Sequence, residues 1–238
     1  SVDSSFNAPA EGLLFPLAVY PDGRVLARRV VYRLPDTLTD SDAIYDLVRL
    51  RPDGSLDPSF APFGLVNSVT VRASILSDGN VLLVGPFRRT GTLDFRCIAV
   101  LGPDGTASTS FRSPFPLPVQ YETPPEIYSA FAAPGGRFVV TGSFRNLGSG
   151  KFNYLARLNP DGSVDPTFNA SALNLTRDPV ILAVNPDGSM LISTGSTSPS
   201  LIRILPTGAR DLGYQPPLVT ALQAFGARQS DGKIYYLA

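Results

Sequence analysis

A turn phrase that recurs through the chain sets the strongest limit on its fold. LRPDGSLDPSFA begins at Leu50, LGPDGTASTSFR at Leu101 and LNPDGSVDPTFN at Leu158. The aromatic ends of this phrase recur roughly every 50 residues, which is typical of proteins built from one repeated supersecondary unit. These aromatic ends are Phe6, Phe60, Phe111, Phe168 and, more loosely, Tyr214.

A second turn phrase lies between these copies, as in YPDGRVL at Tyr20 and LSDGNVLLVG at Leu76. In Pro-Asp-Gly, Pro presets the φ of the second turn position, and Gly accepts the left-handed conformation that closes a three-residue hairpin loop. Two such turns in each repeat indicate two hairpins. The glycines predicted to lie in structural turns are Gly23, Gly54, Gly79, Gly105, Gly136, Gly162, Gly188, Gly208 and Gly232.

The turn at 52–54 fixes the register of its hairpin and predicts which side chains face each other. Counting outward from the loop places Arg49 opposite Asp57. We predict that these charges form a structural ion pair across the two strands. The same rule predicts two further structural ion pairs, Arg157 with Asp165 and Arg203 with Asp211.

The second copy of the phrase lacks both charges. The register there places Val100 opposite Ser108. Losing one member of a buried pair leaves a charge without a partner and costs about 3–5 kcal/mol, whereas losing both can be nearly neutral. The joint loss therefore indicates that Arg and Asp act as a unit in the other copies.

The absence of histidine excludes several classes of active site. With no His in 238 residues, the chain cannot form Ser-His-Asp or Cys-His nucleophiles or His-bearing zinc sites.

Twenty basic and 20 acidic residues cancel, so no global positive field favours a nucleic-acid partner. No apolar run is long enough to span a membrane. Cys97 is the single cysteine, and we predict that it is a small buried residue in a strand.

Four strands can be assigned to each repeat. In the first they are LAVY (17–20), RVLA (24–27), LVRL (47–50) and SLDPSF (55–60). The second strand is apolar at consecutive positions, as in VLLV (81–84), so both of its faces must be covered. This pattern predicts an all-β fold in which antiparallel sheets stack face to face.

Two segments resemble the delta-60 repeat, GRFVVTGSF (136–144) and LARLNPDGSVDPTFN (155–169). The resemblance extends over essentially the whole chain. It implies a β-propeller built of four-stranded antiparallel blades, in a large bacterial protein that is secreted or located at the cell surface. The first repeat departs from the pattern, since residues 27–46 replace a short loop. The fourth departs as well, because its GSF element and its second Pro-Asp-Gly are altered.

Counting strands on this basis gives a single repeat domain over 1–238. It comprises four blades, at 7–60, 61–111, 112–168 and 169–214, and parts of a fifth blade from 215–238 together with an N-terminal strand in 1–6. The strand with the L-x-R-L pattern is missing from the fifth. We therefore expect a segment of a longer array, with further repeats or a partner strand along the apolar edge at 234–237.

A candidate binding rim lies in the loops after the second strands. It comprises Phe87, Arg88 and Arg89, matched in the third repeat by Phe144 and Arg145. An aromatic ring beside Arg can stack on a sugar or hold a carboxylate. The alternative is that each Phe fills the space between blades while each Arg is solvated.

Three further segments have competing interpretations. Asn159, Asp161, Ser163 and Asp165 alternate like the ligands of a calcium loop, but no Glu closes that loop, so we favour a structural turn without metal or cofactor. GSGK at 148–151 lacks the spacing of a phosphate loop, so we favour a flexible loop between the second and third strands of its repeat. The proline-rich segment 112–128 is either a docking strip or a cover for a blade edge.

Two functional classes remain. The first is a non-catalytic β-propeller scaffold or binding module for a protein or glycan. The second is a propeller enzyme that acts on glycans with paired Asp or Glu. Glutamate is scarce, at Glu11, Glu122 and Glu126, and the repeated Asp residues are explained by turns and ion pairs. We therefore favour the non-catalytic module.

Overall fold

Paired turns fold the chain into short antiparallel hairpins. The computed structural model describes residues 6–7, 9, 12–32, 43–65, 71–89, 95–115, 126–145, 147, 152–194, 200–215, 223–228 and 234–237. In these residues the strands are β1 Leu13–Val19, β2 Val25–Tyr32, β3 Ala43–Leu50, β4 Phe63–Leu65, β5 Arg72–Ile75, β6 Val81–Arg89, β7 Phe95–Leu101, β8 Ile127–Ala133, β9 Arg137–Gly142, β10 Leu155–Leu158, β11 Val180–Val184, β12 Met190–Thr194, β13 Ser200–Ile204, β14 Gln223–Arg228 and β15 Ile234–Leu237.

The chain divides into two compact units, Ser1–Ser113 and Pro114–Ala238. The first unit contains a four-stranded sheet, β1-β2-β3-β4, and a three-stranded sheet, β5-β6-β7. The second contains two three-stranded sheets, β8-β9-β10 and β11-β12-β13, and the pair β14-β15. Every strand pair is antiparallel. The all-β prediction is confirmed, and the one helical turn in the described residues is the 3-10 turn Ser171–Leu173.

The turns have the geometry that Pro-Asp-Gly predicts. At the turn 52–54, Gly54 N donates to Arg51 O at 2.9 Å and Arg51 N donates to Ser55 O at 2.8 Å. The Asp53 carboxylate accepts hydrogen bonds from both the backbone and the hydroxyl of Ser55, which closes the turn on itself. Positive φ is found at Gly23, Gly54, Gly79, Gly105, Gly136, Gly162, Gly188 and Gly208. Gly232 lies outside the described residues.

Each unit has an apolar core between two facing sheets. In the first unit, Leu26 and Leu47 of one sheet pack with Val81 and Leu101 of the other, and Phe60 lies among them. The central strands β6, β9 and β12 are buried along nearly their whole length, as their unbroken apolar runs predict.

The second unit repeats this arrangement between β9-β10 and the sheet β11-β12-β13. Val139 and Leu155 pack with Met190 and Ile202, and Phe168 is fully buried among them. The aromatic end of the turn phrase therefore fills the space between neighbouring sheets. Burying a Phe side chain completely contributes about 1.5–3 kcal/mol.

The prediction of a fourth strand at 55–60 was wrong. There the chain makes a single bridge, Leu50 to Leu56, and then turns, because the Asp57 carboxylate and carbonyl accept hydrogen bonds from Ser59 and Phe60. The fourth strand of the first sheet is instead β4, which pairs with β3. In the later repeats the described residues show single bridges in the place of a fourth strand, at Ala107, Val164 and Arg210.

The insertion in the first repeat is partly strand. β2 and β3 extend through residues 25–32 and 43–50 and remain in register from Val25 with Leu50 to Tyr32 with Ala43. Residues 33–42 lie outside the described part of the chain. The insertion therefore lengthens a hairpin rather than replacing a loop.

At the C-terminal end, β15 pairs with β14. Whether a further repeat or a partner strand also pairs with β15 stays a prediction, because residues 229–233 and 238 are not described. The predicted strand in 1–6 lies almost wholly outside the described residues as well. No helix in the described part of the chain has the length and apolar character that crossing a membrane requires.

Candidate functional site

The predicted Arg–Asp partners lie together in the first repeat. Asp57 N donates to Arg49 O at 2.8 Å, which fixes the register, and Arg49 Nε donates to Asp57 Oδ2 at 2.7 Å. Arg49 Nη2 also donates to Ser59 Oγ at 3.0 Å. Its third nitrogen, Nη1, donates to the Pro103 carbonyl at 2.5 Å, in the turn of the next repeat. Arg49 therefore joins two repeats.

The third repeat contains the same arrangement. Arg157 Nε donates to Asp165 Oδ2 at 2.8 Å, and Nη2 donates to Thr167 Oγ1 at 3.1 Å. Arg157 Nη1 donates to the Pro206 carbonyl at 2.6 Å, again in the turn of the following repeat. The guanidinium lies 5.1 Å from the centre of the Phe168 ring, a cation–π geometry that adds to the stabilisation.

The pair in the fourth repeat is more exposed. Arg203 Nε donates to Asp211 Oδ2 at 2.6 Å, but the Arg203 side chain is 45% exposed whereas that of Arg49 is 3% exposed. In the second repeat, Ser108 N donates to Val100 O at 2.8 Å, so the uncharged copy keeps the same backbone register.

A second arginine approaches two of these carboxylates from the neighbouring turn. Arg24 Nη1 lies 3.6 Å from Asp57 Oδ2, and Arg137 Nε lies 3.2 Å from Asp165 Oδ2, close enough for ion pairs but without hydrogen-bond geometry.

Burial is the largest influence on the Asp165 pKa and raises it. Hydrogen bonds from Thr167 and Arg157 outweigh burial and hold the pKa below its usual value.

The acidic side chains of the suspected calcium loop are occupied by protein donors. Asp161 Oδ1 accepts hydrogen bonds from the backbone N–H of Ser163 at 2.9 Å and from its hydroxyl at 2.7 Å. Asp165 is bonded to Arg157 and Thr167. Asn159 donates to Ser163 Oγ at 3.0 Å. These contacts are those of a self-closed turn.

We expect thermal unfolding of the chain to be insensitive to calcium, because metal binding to the native state would raise the melting temperature by mass action. The measurement is a pair of thermal melts, one with calcium and one with a chelator. Asp161→Asn is the control variant. A rise in melting temperature with calcium that disappears in this variant would contradict the turn assignment.

The two phenylalanines of the predicted rim cannot contact a ligand. Phe87 and Phe144 are 2% and 1% exposed. Each Phe lies two residues after a glycine, in a bulge. In the second repeat, residues 85–87 face the single residue Cys97. In the third, Tyr154 takes the place of Cys97, because it is bonded to both Gly142 and Phe144. The bulge turns each Phe ring inward, so the alternative in which Phe fills internal space describes them correctly.

Arg145 remains exposed, and its aromatic partner is not Phe144. Arg145 Nη2 donates to Tyr154 Oη at 2.6 Å, and the guanidinium lies 5.4 Å from the centre of the Tyr154 ring. Arg88 and Arg89 end β6, but their side chains lie outside the described residues. Cys97 is buried, as predicted. The aromatic–Arg pair of the rim is therefore Arg145 with Tyr154.

Two cavities lie beside the connection that leads from the third repeat into the fourth. The first has a volume of about 310 Å³ and is lined by residues of that connection and of the strand start at β10. Its lining residues are Phe152, Asn153, Leu155, Ala170, Ser171, Asn174 and Leu175. It lies beside Tyr154, at the end of β9-β10 opposite the 134–136 turn.

The second cavity has a volume of about 340 Å³ and is mostly polar. The connection supplies Asn174, Thr176 and Arg177, and the strands β12 and β13 supply Thr194 and Ser200. Arg210 completes the polar lining. Both volumes are at the lower end of the range for small-molecule sites.

The connection is held in place from both sides. Asn169 N donates to Thr207 O at 2.7 Å, and Asn169 Oδ1 accepts from Ser171 N at 3.0 Å. Leu173 and Leu175 pack against the core, and Asn174 takes a left-handed conformation with φ 48°. Asn is among the non-glycine residues that adopt this conformation most readily, and here it ends the 3-10 turn Ser171–Leu173.

Sequence reasoning missed these cavities. The segment 169–177, NASALNLTR, has neither periodicity nor a recognised ligand motif. The one available signal was its length, since it separates two repeats by a longer stretch than a tight turn needs.

Two segments with competing interpretations lie outside the described residues, GSGK at 148–151 and most of the proline-rich segment, at 116–125. Their roles stay as predicted alternatives.

Comparison with known families agrees with the repeat architecture. A family model described as "Domain of unknown function (DUF5122) beta-propeller" matches residues 45–60 and 134–168. The matched segments contain the strand with Arg49, the strand with Arg157 and the turn phrases that follow both. No curated protein matches the chain. The family match supports a β-propeller repeat protein.

Proposed function

We propose that this chain is a non-catalytic β-propeller module that binds a glycan or a protein at the rim of its second unit. The observation that carries the proposal is the pair of cavities on either side of the 169–177 connection. This surface is anchored by backbone hydrogen bonds and by the packing of Leu173 and Leu175. Preformed concave surfaces with a few polar groups are typical of small-ligand sites.

Carboxylate chemistry has little support at these cavities. Glycoside hydrolysis needs two carboxyl groups on either side of the bond that breaks, and the described residues that line the two cavities include no Asp or Glu. The carboxylates of Asp57 and Asp165 are held by arginine and hydroxyl donors. Those bonds keep the carboxylates ionised and unavailable as general acids.

The resemblance to delta-60 repeats adds context. It supports a bacterial protein that is secreted or displayed at the cell surface, where glycans and surface proteins are the available partners. The neutral net charge of the chain is consistent with such partners and gives no general attraction to nucleic acid.

The test is a glycan array probed with the full chain, followed by affinity measurements on any bound glycan. Phe152→Ala is expected to weaken binding about tenfold, because an aromatic contact with a ligand contributes on the order of 1 kcal/mol. Tyr128→Ala is the matched control, since Tyr128 is an exposed aromatic residue of the same unit that lines neither cavity.

The same ligands are then incubated with the chain and examined for cleavage. Turnover of a bound glycan would favour the propeller enzyme over the binding module. Equal loss of binding in Phe152→Ala and Tyr128→Ala would show that the cavity is not the site.

A further inference from the structure

The described lining of the second cavity contains two positive charges and no negative one. Arg177 and Arg210 both line it, and neither makes a side-chain hydrogen bond or an ion pair with another described residue. By contrast, the three arginines predicted as ion-pair partners, Arg49, Arg157 and Arg203, are each bonded to a carboxylate. Two guanidinium groups in one small cavity repel each other unless an anion lies between them.

The described residues that line the cavity do not supply that anion, since none of them is acidic. Asp211, which follows Arg210, is bonded to Arg203. Asp178 follows Arg177 but does not line the cavity. The two positive charges are therefore available to a ligand.

We propose that this cavity binds the carboxylate or sulfate group of an acidic sugar, an inference that rests on the glycan-binding function proposed above. Arginine is suited to this role, because its planar guanidinium holds a carboxylate or sulfate through two parallel hydrogen bonds. Two such groups together can bind one oxyanion from both sides.

The remaining lining groups match a sugar better than a peptide. Asn174, Thr176, Thr194 and Ser200 can each donate and accept hydrogen bonds, as the hydroxyl groups of a sugar require. Arginine clusters also bind acidic peptide motifs, so what disfavours a peptide here is the size of the cavity. The cavity volume of about 340 Å³ suits one or two rings rather than an extended chain.

The experiment is calorimetric titration of the full chain with three probes of similar size. They are a galacturonic acid trisaccharide, which carries carboxylates, a sulfated disaccharide, and a neutral galactose trisaccharide. We expect at least one acidic probe to bind and the neutral probe to bind at least tenfold more weakly. Binding should weaken as salt is raised, because the attraction is between charges.

Arg177→Gln and Arg210→Gln are each expected to weaken binding of the acidic probe about tenfold. Arg51→Gln is the matched control, because Arg51 is also exposed but lies at a turn of the first unit. Arg177→Lys and Arg210→Lys keep the charge and remove the paired donors, so they are expected to restore part of the affinity. Both native arginines are exposed, and thermal melts establish that the variants are folded.

Three results would overturn the inference. They are equal affinity for acidic and neutral sugars, unchanged affinity in both Gln variants, and tighter binding of a glutamate-rich peptide than of either acidic sugar. If a neutral glycan binds and only Phe152→Ala reduces its affinity, the binding module stands and this inference fails. If no glycan or protein binds at all, both fail.

Discussion

Asp165→Ala is expected to destabilise the chain by about 3–5 kcal/mol, because it leaves the guanidinium of Arg157 buried without its carboxylate. The side chains of Asp165 and Arg157 are 4% and 10% exposed. Arg137 also loses a carboxylate 3.2 Å away. The measurement is urea unfolding of wild type and variant, with the change in midpoint converted through a common slope.

The decisive comparison is with the double variant Arg157→Val with Asp165→Ser, which installs the residues of the second repeat. This change removes both charges, so it should cost less than Asp165→Ala alone. It is not expected to be neutral, because Arg157 also donates to the Pro206 carbonyl and to Thr167. Each hydrogen bond lost there contributes on the order of 1 kcal/mol. Equal costs for the single and double variants would show that the pair does not act as a unit.

The same carboxylate makes stability depend on pH. The pKa of Asp165 is lowered in the folded chain, so its contribution is present above the unfolded pKa of about 3.9. It is lost as pH falls from there through the lowered folded value. Unfolding free energy should therefore decrease with acid in the wild type, and Asp165→Ala should decrease less over the same range.

The ion pairs show how far sequence reasoning extends. A three-residue hairpin loop fixes the register by its own geometry, so Arg49 could be placed opposite Asp57 from the turn alone. The bond from Arg49 to the Pro103 carbonyl could not be predicted, because it joins neighbouring repeats. Register within a hairpin contains no information about the distance between two sheets.

At the predicted binding rim, the sequence identified an aromatic residue and an arginine but not the direction of the aromatic side chain. The Gly-x-Phe element predicted a loop with an aromatic residue, but a bulge turns Phe144 into the interior, and Tyr154 takes the place beside Arg145. The direction of a side chain after a bulge depends on which residue faces it.

Arg177 and Arg210 are 33 positions apart in sequence and meet only through the fold. No local pattern could bring them together.

The second copy of the repeated turn phrase lies close to the chain at Phe60 and Ala61. Gly105 has φ +81°, and a Cβ there would overlap the carbonyl oxygen of Ala61 and lie 2.9 Å from the Phe60 ring. Ala61 N donates to Asp104 O at 2.6 Å, so the chain after the aromatic is bonded directly to this turn. Gly54 and Gly208 meet Asn7 and Asn169 in the same way.

Gly105→Ala is therefore expected to cost much more than Gly79→Ala, although both glycines belong to the same repeat. Gly79 has φ +82°, and its Cβ would meet only the Pro103 side chain, at 3.6 Å. Gly79→Ala should cost about 1–2 kcal/mol for the left-handed backbone. Gly105→Ala should cost about 2–4 kcal/mol more, because a backbone must move and its hydrogen bond weakens.

Urea unfolding of the two alanine variants measures this difference directly, since the strain in φ is the same in both and cancels. What is left is the cost of displacing the Ala61 backbone and the Phe60 ring from this turn. Hydrogen exchange at Ala61 gives a second readout, and its amide should lose protection in Gly105→Ala and keep it in Gly79→Ala. If both variants lose equal stability, the contact between the turn and the preceding repeat does not hold the sheets together. Adhesion between the sheets would then depend on buried side chains such as Phe60 alone.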